Sequence, residues 1–245
     1  MKKLLLSAFV ICLAGTSIAQ ESPLWMRHCA LSPDGTTIAF TYKGDIYTVP
    51  STGGRATQIT TNPAFDTEPV WSPDSKQIAF ASDRMGSLDV FVVSSEGGAP
   101  QRLTTHSGSE KPVAYKDNKH ILFTANIAPS AEDAGFPSGQ FQQVYEVAVT
   151  GGRPAMFSSM PMECISINKE GVMLYQDKKG YEDYWRKHQV SPIARDIWTY
   201  TPGKKPVYQK QTTFGGEDRE PVWSPDGKSF YYLSEEKGSF NIFQR

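Results

Sequence analysis

Residues 71–80 read Trp-Ser-Pro-Asp-Ser-Lys-Gln-Ile-Ala-Phe, a turn that leads into a strand. Similar text stands at residues 31–40, as Leu-Ser-Pro-Asp-Gly-Thr-Thr-Ile-Ala-Phe, and at residues 223–232, as Trp-Ser-Pro-Asp-Gly-Lys-Ser-Phe-Tyr-Tyr. Asp34 and Asp74 are 40 residues apart. A period of about 40 residues with several short strands per unit predicts a β-propeller, whose blades bury their apolar faces against one another.

The second repeat is the clearest template for one blade. It has strand patterns at residues 68–71, 77–81, 88–93 and 101–104, separated by the Ser-Pro-Asp turn, a hairpin loop and a Gly-Gly turn. We therefore predict an all-β propeller of four-stranded antiparallel blades, incomplete at about four and a half blades. The expected repeats cover residues 24–67, 68–111, 112–161, 162–219 and 220–245. Because the last repeat stops in its third strand and would leave an exposed edge, we expect a truncated sequence.

The third and fourth repeats lack the Ser-Pro-Asp text, and each carries an insertion, at residues 126–140 and 178–195. The second insertion contains Tyr-Glu-Asp-Tyr-Trp-Arg-Lys-His at residues 181–188. Aromatic and charged residues mixed on a loop predict a contact surface. In the alternative interpretation, the aromatic residues only fill the periphery of their own blade.

Residues 1–19 have the organisation of a secretory signal peptide. Lys2 and Lys3 precede an apolar stretch at residues 4–14, and Ser-Ile-Ala at residues 17–19 suits cleavage after Ala19. The apolar stretch is shorter than the ~20 residues that span a membrane, which disfavours an N-terminal anchor. We expect an exported protein, periplasmic or secreted, with its propeller at residues 20–245 and no membrane span after signal removal.

Charge and motif content argue against several classes of function. The formal net charge is −1, so no basic face for nucleic acid is expected. No G-x-S-x-G, H-E-x-x-H or G-x-x-x-x-G-K-[ST] motif occurs, and the four histidines stand at unrelated positions. The serines of the repeated turns have a structural role, because every blade needs its turn. We therefore predict no catalytic residue, no metal site and no cofactor in this chain.

Five repeated residues have structural interpretations. Asp45, Asp89 and Asp196 each precede the third strand of a repeat, and one carboxylate per blade does not gather the ligands that Ca²⁺ requires. We predict that these side chains hydrogen-bond a neighbouring turn. Trp71 and Trp223 occupy equivalent positions, and we predict that they anchor the packing of one blade on another.

Two cysteines, Cys29 and Cys164, remain after signal removal. Export permits a disulfide between them. Because two cysteines 135 residues apart form no disulfide framework, we favour two small buried thiols. Their redox state stays open.

The repeated text resembles that of a known family. The run Ser-Pro-Asp-Gly/Ser-x-x-Ile-Ala-Phe, then Asp-Ile/Val-Tyr/Phe, Gly-Gly and Gln-x-Leu/Ile-Thr, is similar to the WD40-like repeat of TolB and of the tricorn protease propellers. Residues 24–27, 42–47, 185–188 and 194–198 extend the likeness. Together they resemble the N-terminal propeller of exported, tricorn-like serine peptidases of the S41 family, over residues 20–245.

The resemblance implies a second propeller-like region, a PDZ domain and a C-terminal catalytic domain beyond Arg245, so no catalytic residue is carried over to this sequence. It implies that the propeller filters and guides peptides or unfolded polypeptides toward a protected active site. The two insertions are the expected gate elements. Arg186, Lys187 and Arg195 are the predicted contacts for peptide carboxylates. The remaining domains of the same chain are expected partners, and homo-oligomerisation stays open.

Two alternatives share this N-terminal sequence class and differ in the segments expected beyond Arg245. The first is a TolB-like periplasmic propeller that binds a partner protein and has no enzymatic activity. The second is the propeller of an α/β-hydrolase-type oligopeptidase, for which a G-x-S-x-G motif is expected downstream.

Overall fold

The structure, a computed structural model, describes residues 25–127, 141–180 and 190–245. This described part contains nineteen strands in five sheets and no helix. Within it there is accordingly no helix long and apolar enough to cross a membrane. The predicted signal peptide at residues 1–19 lies outside the described residues.

The strands follow one another around five blades. Blade 1 contains β1 (Arg27–Leu31), β2 (Thr37–Tyr42), β3 (Asp45–Pro50) and β4 (Thr57–Gln58), and blade 2 contains β5 (Asp66–Trp71), β6 (Gln77–Ser82), β7 (Asp89–Ser94) and β8 (Gln101–Arg102). Blade 3 contains β9 (Lys111–Asp117), β10 (His120–Ala125), β11 (Gln143–Ala148) and β12 (Ala155–Ser158). Blade 4 contains β13 (Met162–Ile167), β14 (Met173–Asp177), β15 (Ile197–Thr201) and β16 (Val207–Lys210), and blade 5 contains β17 (Asp218–Trp223), β18 (Phe230–Ser234) and β19 (Asn241–Gln244).

Each blade is an antiparallel meander in which strands adjacent in sequence are adjacent in the sheet. The first strand of each blade, here called the inner strand, forms one edge of its sheet and contacts the inner strand of the next blade. The inner strands are β1, β5, β9, β13 and β17. The prediction of an all-β propeller with four-stranded antiparallel blades is confirmed, and blade 5 has three strands.

The Ser-Pro-Asp turn is built from side-chain hydrogen bonds to its own backbone. In blade 2 the buried Ser72 hydroxyl donates to Asp74 Oδ1 at 2.7 Å and accepts the backbone N–H of Gln77 at 2.9 Å. The residue after the aspartate has a positive φ of 60° at Ser75, where blade 1 has Gly35. The serine hydrogen bond is the largest cause of the lowered pKa of Asp74. The serine and aspartate side chains thus shape the turn locally in blades 1, 2 and 5, where the motif recurs. The backbone N–H of Asp74 also donates to Asn118 Oδ1 of blade 3 at 3.1 Å.

Each blade has two apolar faces of different character. The forward face, turned to the next blade, carries small and aliphatic side chains such as Ala39 and Ile46 of blade 1. The backward face carries a cross-strand aromatic pair such as Phe80 and Phe91 of blade 2, whose ring centroids are 5.9 Å apart. These four side chains belong to one buried cluster between blades 1 and 2.

The same combination fills the next three interfaces. Forward-face residues of blades 2, 3 and 4 pack on backward-face residues of blades 3, 4 and 5: Val90 on Phe123 and Tyr145, Val144 on Met173 and Tyr175, Ile197 on Phe230. The apolar core of the protein is therefore divided among the interfaces between blades, as expected for a repeat array.

The predicted role of the two tryptophans is confirmed. The Trp71 indole N–H donates to the carbonyl oxygen of Ala30 in blade 1 at 2.9 Å. The Trp223 indole N–H donates to the carbonyl oxygen of Val172, just before β14 of blade 4, at 3.2 Å. Each tryptophan therefore ties its blade to the preceding one.

The aspartates before the third strands have a partner that was not expected. Their carboxylates bind the side chain that ends the fourth strand of the same blade, and the three pairs are Asp45 with Gln58, Asp89 with Arg102 and Asp196 with Lys210. Asp45 also accepts a hydrogen bond from Thr60 Oγ1 in the segment after β4, at 3.3 Å, and Asp196 also pairs with Lys179 in the segment after β14. The predicted contact with a connecting segment is therefore found for these two aspartates, beside the contact with the fourth strand. The short fourth strand needs this connection because it has only two residues in blades 1 and 2.

Candidate functional site

A cavity of about 530 Å³ lies between the inner strands. Its lining comes from β1, β5, β9 and β13, together with Thr124 of β10, Gln142 and Lys178. Because four different blades contribute, the cavity occupies the central axis around which the blades are arranged. We take it as the candidate functional site.

The lining side chains are set by a bulge that recurs in the inner strands. His28, Glu68 and Cys164 have positive φ angles of 51°, 55° and 51°, and each lies at a break in the register with the second strand. Glu220 repeats the feature in β17 with a φ of 52°. A positive φ is uncommon for residues with a side chain, and a bulge re-aims the side chains of its strand. The bulge therefore presents His28, Glu68 and Cys164 to the cavity in blades 1, 2 and 4.

Charged side chains at the cavity wall are paired, in one case across two blades and in the other within a blade. The Lys111 Nζ of blade 3 lies 2.7 Å from Glu68 Oε1 of blade 2, with both side chains partly exposed. In blade 4, Lys178 Nζ lies 3.0 Å from Glu163 Oε1. The wall is thus polar but locally neutralised.

Glu163 is the most connected carboxylate of the wall. Besides Lys178, it accepts a hydrogen bond from Gln176 Nε2 at 3.0 Å and lies 3.4 Å from Arg195 Nε. Burial by itself raises the pKa of Glu163, but the hydrogen bonds from Gln176 and Lys178 and the neighbouring cations lower it below its usual value. Glu163 is therefore charged near neutral pH, and its partners fix the position of its carboxylate.

The two cysteines line this cavity as free thiols. Both are exposed, so the prediction of buried thiols is wrong, and the bulge that turns β1 and β13 is the structural reason. Enclosure by protein, followed by the charges of Glu220 and Glu163, raises the pKa of Cys164 to about 12. A thiol with that pKa stays protonated at neutral pH and is a poor nucleophile.

Of the three predicted peptide contacts, only Arg195 lies in the described part of the chain. Arg186 and Lys187 lie outside the described part of the chain. Arg195 is largely buried, and its guanidinium lies between Glu163 and Glu217, with 3.3 Å to Glu217 Oε1. Its contact with peptide stays a prediction.

Sequence reasoning missed four charged residues of the inner strands, of which Glu68 and Glu163 line the cavity. Glu68 and Glu220 stand in the repeated text Glu-Pro-Val-Trp before the Ser-Pro-Asp turn, which is a signal that repetition made visible. Lys111 and Glu163 stand in repeats whose text has diverged, so no comparable signal marked them.

Several kinds of group stand at the cavity wall. Across residues 25–127, 141–180 and 190–245, no group of three or more His, Cys, Asp or Glu side chains could hold a metal ion. The wall offers paired charges, two free thiols and the edges of inner strands.

Residues 23–245 match the family described as the tricorn protease N-terminal beta propeller domain. The chain belongs to this family. The tricorn-type propeller is 39% identical over 213 residues to tricorn protease homolog 1 of Streptomyces coelicolor (strain ATCC BAA-471 / A3(2) / M145), a match that covers 86% of this chain and 19% of that protein.

Solved structures show the same fold. The tricorn-type propeller matches the crystal structure of the tricorn protease with a TM-score of 0.70 at 16% identity, over 91% of this chain and 21% of that chain. It matches a putative TolB from Agrobacterium tumefaciens with a TM-score of 0.68 at 16% identity, over 91% of this chain and 76% of that chain. The sequence thus spans about a fifth of the length of these two tricorn proteins.

Proposed function

We propose that this tricorn-type propeller is a non-catalytic region that admits extended peptides to its central cavity and guides them toward the catalytic part of a larger serine peptidase. The observation that carries this proposal is the cavity of about 530 Å³ lined by the inner strands of blades 1 to 4. Its volume lies within the range of ~300–1,000 Å³ that is usual for ligand sites. A folded domain of 100 residues, with a radius of gyration of about 13 Å, is far too large to enter.

The cavity wall is better suited to weak, transient binding of a peptide than to tight binding. Its charges are already paired, as between Glu68 and Lys111, so peptides of either charge meet no strong unpaired field. The free edges of the inner strands offer backbone hydrogen bonds to an extended chain. Pro69 and Pro112 remove donors from those edges, and the bulges interrupt them. A peptide can therefore bind in short segments and move on.

The wider context of this role is part of the same proposal. We infer proteolysis of the S41 type by other parts of the parent protein, and export directed by residues 1–19 to the periplasm or beyond the cell. Arg186, Lys187 and Arg195 remain the proposed contacts for peptide carboxylates. In the parent peptidase, Arg186→Ala with Lys187→Ala should slow peptide turnover, and unchanged turnover would remove these two contacts from the proposal.

The cavity can be tested by plugging it. With Cys12 and Cys164 replaced by serine, a bulky maleimide on Cys29 places a plug at the cavity wall. The control carries the same label on Met85→Cys in a Cys29→Ser background, because Met85 is exposed and outside the cavity. Binding of a fluorescent unstructured peptide is then measured by anisotropy.

The proposal expects the Cys29 label to weaken peptide binding about tenfold or more, equal to about 1.4 kcal/mol, while the Met85→Cys label changes little. Equal binding by both labelled proteins would place the peptide elsewhere and overturn the proposal. Near-ultraviolet circular dichroism of both labelled proteins checks that the blades stay packed.

A TolB-like binding module without enzymatic activity is the second candidate. The observation in its favour is the fold shared with a putative TolB from Agrobacterium tumefaciens, with a TM-score of 0.68. The plug separates the two functions, because a module that docks a folded partner on one outer face should bind it equally well with Cys29 labelled.

A further inference from the structure

A second cavity, of about 310 Å³, lies between blades 1 and 2 beside their Ser-Pro-Asp turns. Its walls come from the two turns, from β3 and β4 of blade 1 and from the loop after β7 of blade 2. This cavity, here called the polar cleft, shares no lining residue with the central cavity. Because both walls belong to blades that are consecutive in this chain, the polar cleft is a feature of a single interface between two blades.

The walls of the polar cleft are rich in hydroxyl groups. Seven of its lining residues are serine or threonine, two are acidic, and Ile59 and Trp71 are apolar. Among the described residues, no protein group hydrogen-bonds the hydroxyls of Thr48, Thr57 and Ser95. These three hydroxyls can therefore bind a ligand without giving up a bond inside the protein.

The charged groups of the polar cleft are carboxylates. Asp34 and Glu96 line it, and both are exposed. The hydrogen bond from the Ser32 hydroxyl is the largest cause of the lowered pKa of Asp34, so this carboxylate is charged at neutral pH. No lining residue, all of which lie in the described part of the chain, is a lysine, arginine or histidine. Two negative groups without a cation disfavour an anionic ligand, and two carboxylates are too few for the 6–8 oxygen ligands of Ca²⁺.

The interface between blades 2 and 3 shows why the polar cleft is open. There Val92 takes the position of Thr48, and Gln101 takes the position of Thr57. The side-chain amide of Gln101 donates to the carbonyl oxygen of Thr150 in blade 3 at 3.1 Å, so it spans the interface. A threonine side chain is too short for the equivalent contact. The polar cleft therefore depends on two threonines that the next interface lacks.

We propose that the polar cleft binds a neutral saccharide of one or two sugar rings. Protein hydroxyls both donate and accept hydrogen bonds, so they match the hydroxyls of a sugar, and the two carboxylates add charge-assisted acceptors. The indole N–H of Trp71 already donates to Ala30, so Trp71 offers the cleft its apolar ring, on which the C–H groups of a sugar can pack.

The size of the polar cleft agrees with such a ligand. Its volume lies at the lower end of the range of ~300–1,000 Å³ that is usual for ligand sites. Because the two cavities share no residue, this inference does not depend on the peptide-guiding role of the central cavity.

NMR titration of the unmodified chain tests binding directly. Maltose, cellobiose and N-acetylglucosamine serve as neutral probes at millimolar concentrations, and putrescine serves as a cationic probe. We expect at least one of the sugars to shift the backbone amide signals of Ser75 and Glu96 in a saturable way. The signal of Thr201, on β15 of blade 4, should not move.

A double variant tests the location. Thr48→Val with Thr57→Gln gives the polar cleft the residues of the next interface and should weaken sugar binding about tenfold or more. Thr201→Val, which removes an exposed hydroxyl from blade 4, is the matched control and should bind like the unmodified chain. Near-ultraviolet circular dichroism verifies folding, and Thr48→Val alone replaces the double variant if the latter unfolds.

Glu96→Gln separates a neutral ligand from a cation. The amide still forms hydrogen bonds, so sugar binding should largely persist, whereas binding of a cation should be lost. No saturable shift with any of the three sugars, tighter binding of putrescine than of every sugar, or unchanged binding by the double variant would each overturn the proposal.

Discussion

The indole N–H of Trp71 lies 2.9 Å from the carbonyl oxygen of Ala30 and joins the inner strands of two consecutive blades. Trp71 is buried in the cluster between these blades, so the hydrogen bond is shielded from water. It is a buried hydrogen bond within an apolar interface.

Replacing Trp71 with Phe should remove that hydrogen bond while keeping an aromatic ring. We expect the free energy of unfolding to fall by about 1–3 kcal/mol, because the Ala30 carbonyl loses its partner inside the interface. Urea unfolding followed by circular dichroism measures the change. Trp25→Phe is the control, since Trp25 is largely exposed, and an equal loss in both variants would contradict the assigned role.

Replacing Ser72 with Ala should weaken the repeated turn. The hydroxyl of Ser72 both donates to Asp74 and accepts from the backbone of Gln77, so its removal should cost about 1–2 kcal/mol. The pKa of Asp74 should rise toward its ordinary value of 3.8, because Ser72 is the largest cause of its lowering. An NMR titration of the Asp74 carboxyl group reads this directly. Ser75→Ala should leave the pKa of Asp74 nearly unchanged.

Replacing Glu163 with Gln should change the pH dependence of stability. The folded-state pKa of Glu163 lies below the usual 4.5, so its contribution is present above about pH 4.5 and is lost as pH falls through the lowered pKa. The variant should lose about 1–3 kcal/mol near neutral pH and little in acid, because it leaves Lys178 and Arg195 without this partner. Unfolding midpoints measured across the acid range test this expectation.

Glu146→Gln is the matched control for Glu163. Its ion pair with Lys116, at 2.6 Å, is partly exposed, and exposed pairs contribute only about 0–1 kcal/mol. If both variants lost the same stability at neutral pH, the central position of Glu163 would have no energetic consequence.

Replacing Glu110 with Gln should stabilise the protein near neutral pH. Both carboxylate oxygens of Glu110 are buried without a well-formed hydrogen bond, and burial raises its pKa above the usual 4.5, although nearby groups such as Thr104 partly oppose the shift. The folded state binds this proton more tightly, so stability declines as pH rises from about 4.5 through the raised pKa.

The neutral side chain should remove that decline, with a gain of about 1–3 kcal/mol near neutral pH and almost none in acid. Thermal unfolding at both pH values gives the comparison. The exposed Glu96→Gln should show no such difference. A gain that is equal at both pH values would point to a cause other than the buried charge.

The blades could be predicted from the sequence because the repeated Ser-Pro-Asp turn is a local structure. Ser72 and Asp74 bond within their own turn, so the pattern predicts the turn without knowledge of its neighbours. The ion-pair partner of Asp89 could not be predicted from local sequence. Arg102 becomes its neighbour only once two strands have paired.

The cavity escaped prediction for a related reason. The exposure of Cys164 and the pairing of Glu68 with Lys111 depend on a backbone bulge and on the angle between blades. Neither is a property of hydrophobic periodicity, which the bulge interrupts by shifting the register. Residues of this kind need three-dimensional placement before their role can be seen.

The bulge separates two sets of residues in blades 1, 2, 4 and 5. The residues that pack one blade on another, such as Ile46 and Phe80, lie on the regular stretches of strand, while His28, Glu68 and Cys164 lie at the irregular position. A substitution at the bulge can therefore alter the charge of the cavity wall with little effect on the interfaces between blades. Related proteins could therefore differ in the residues that line the cavity and still share the same packing between blades.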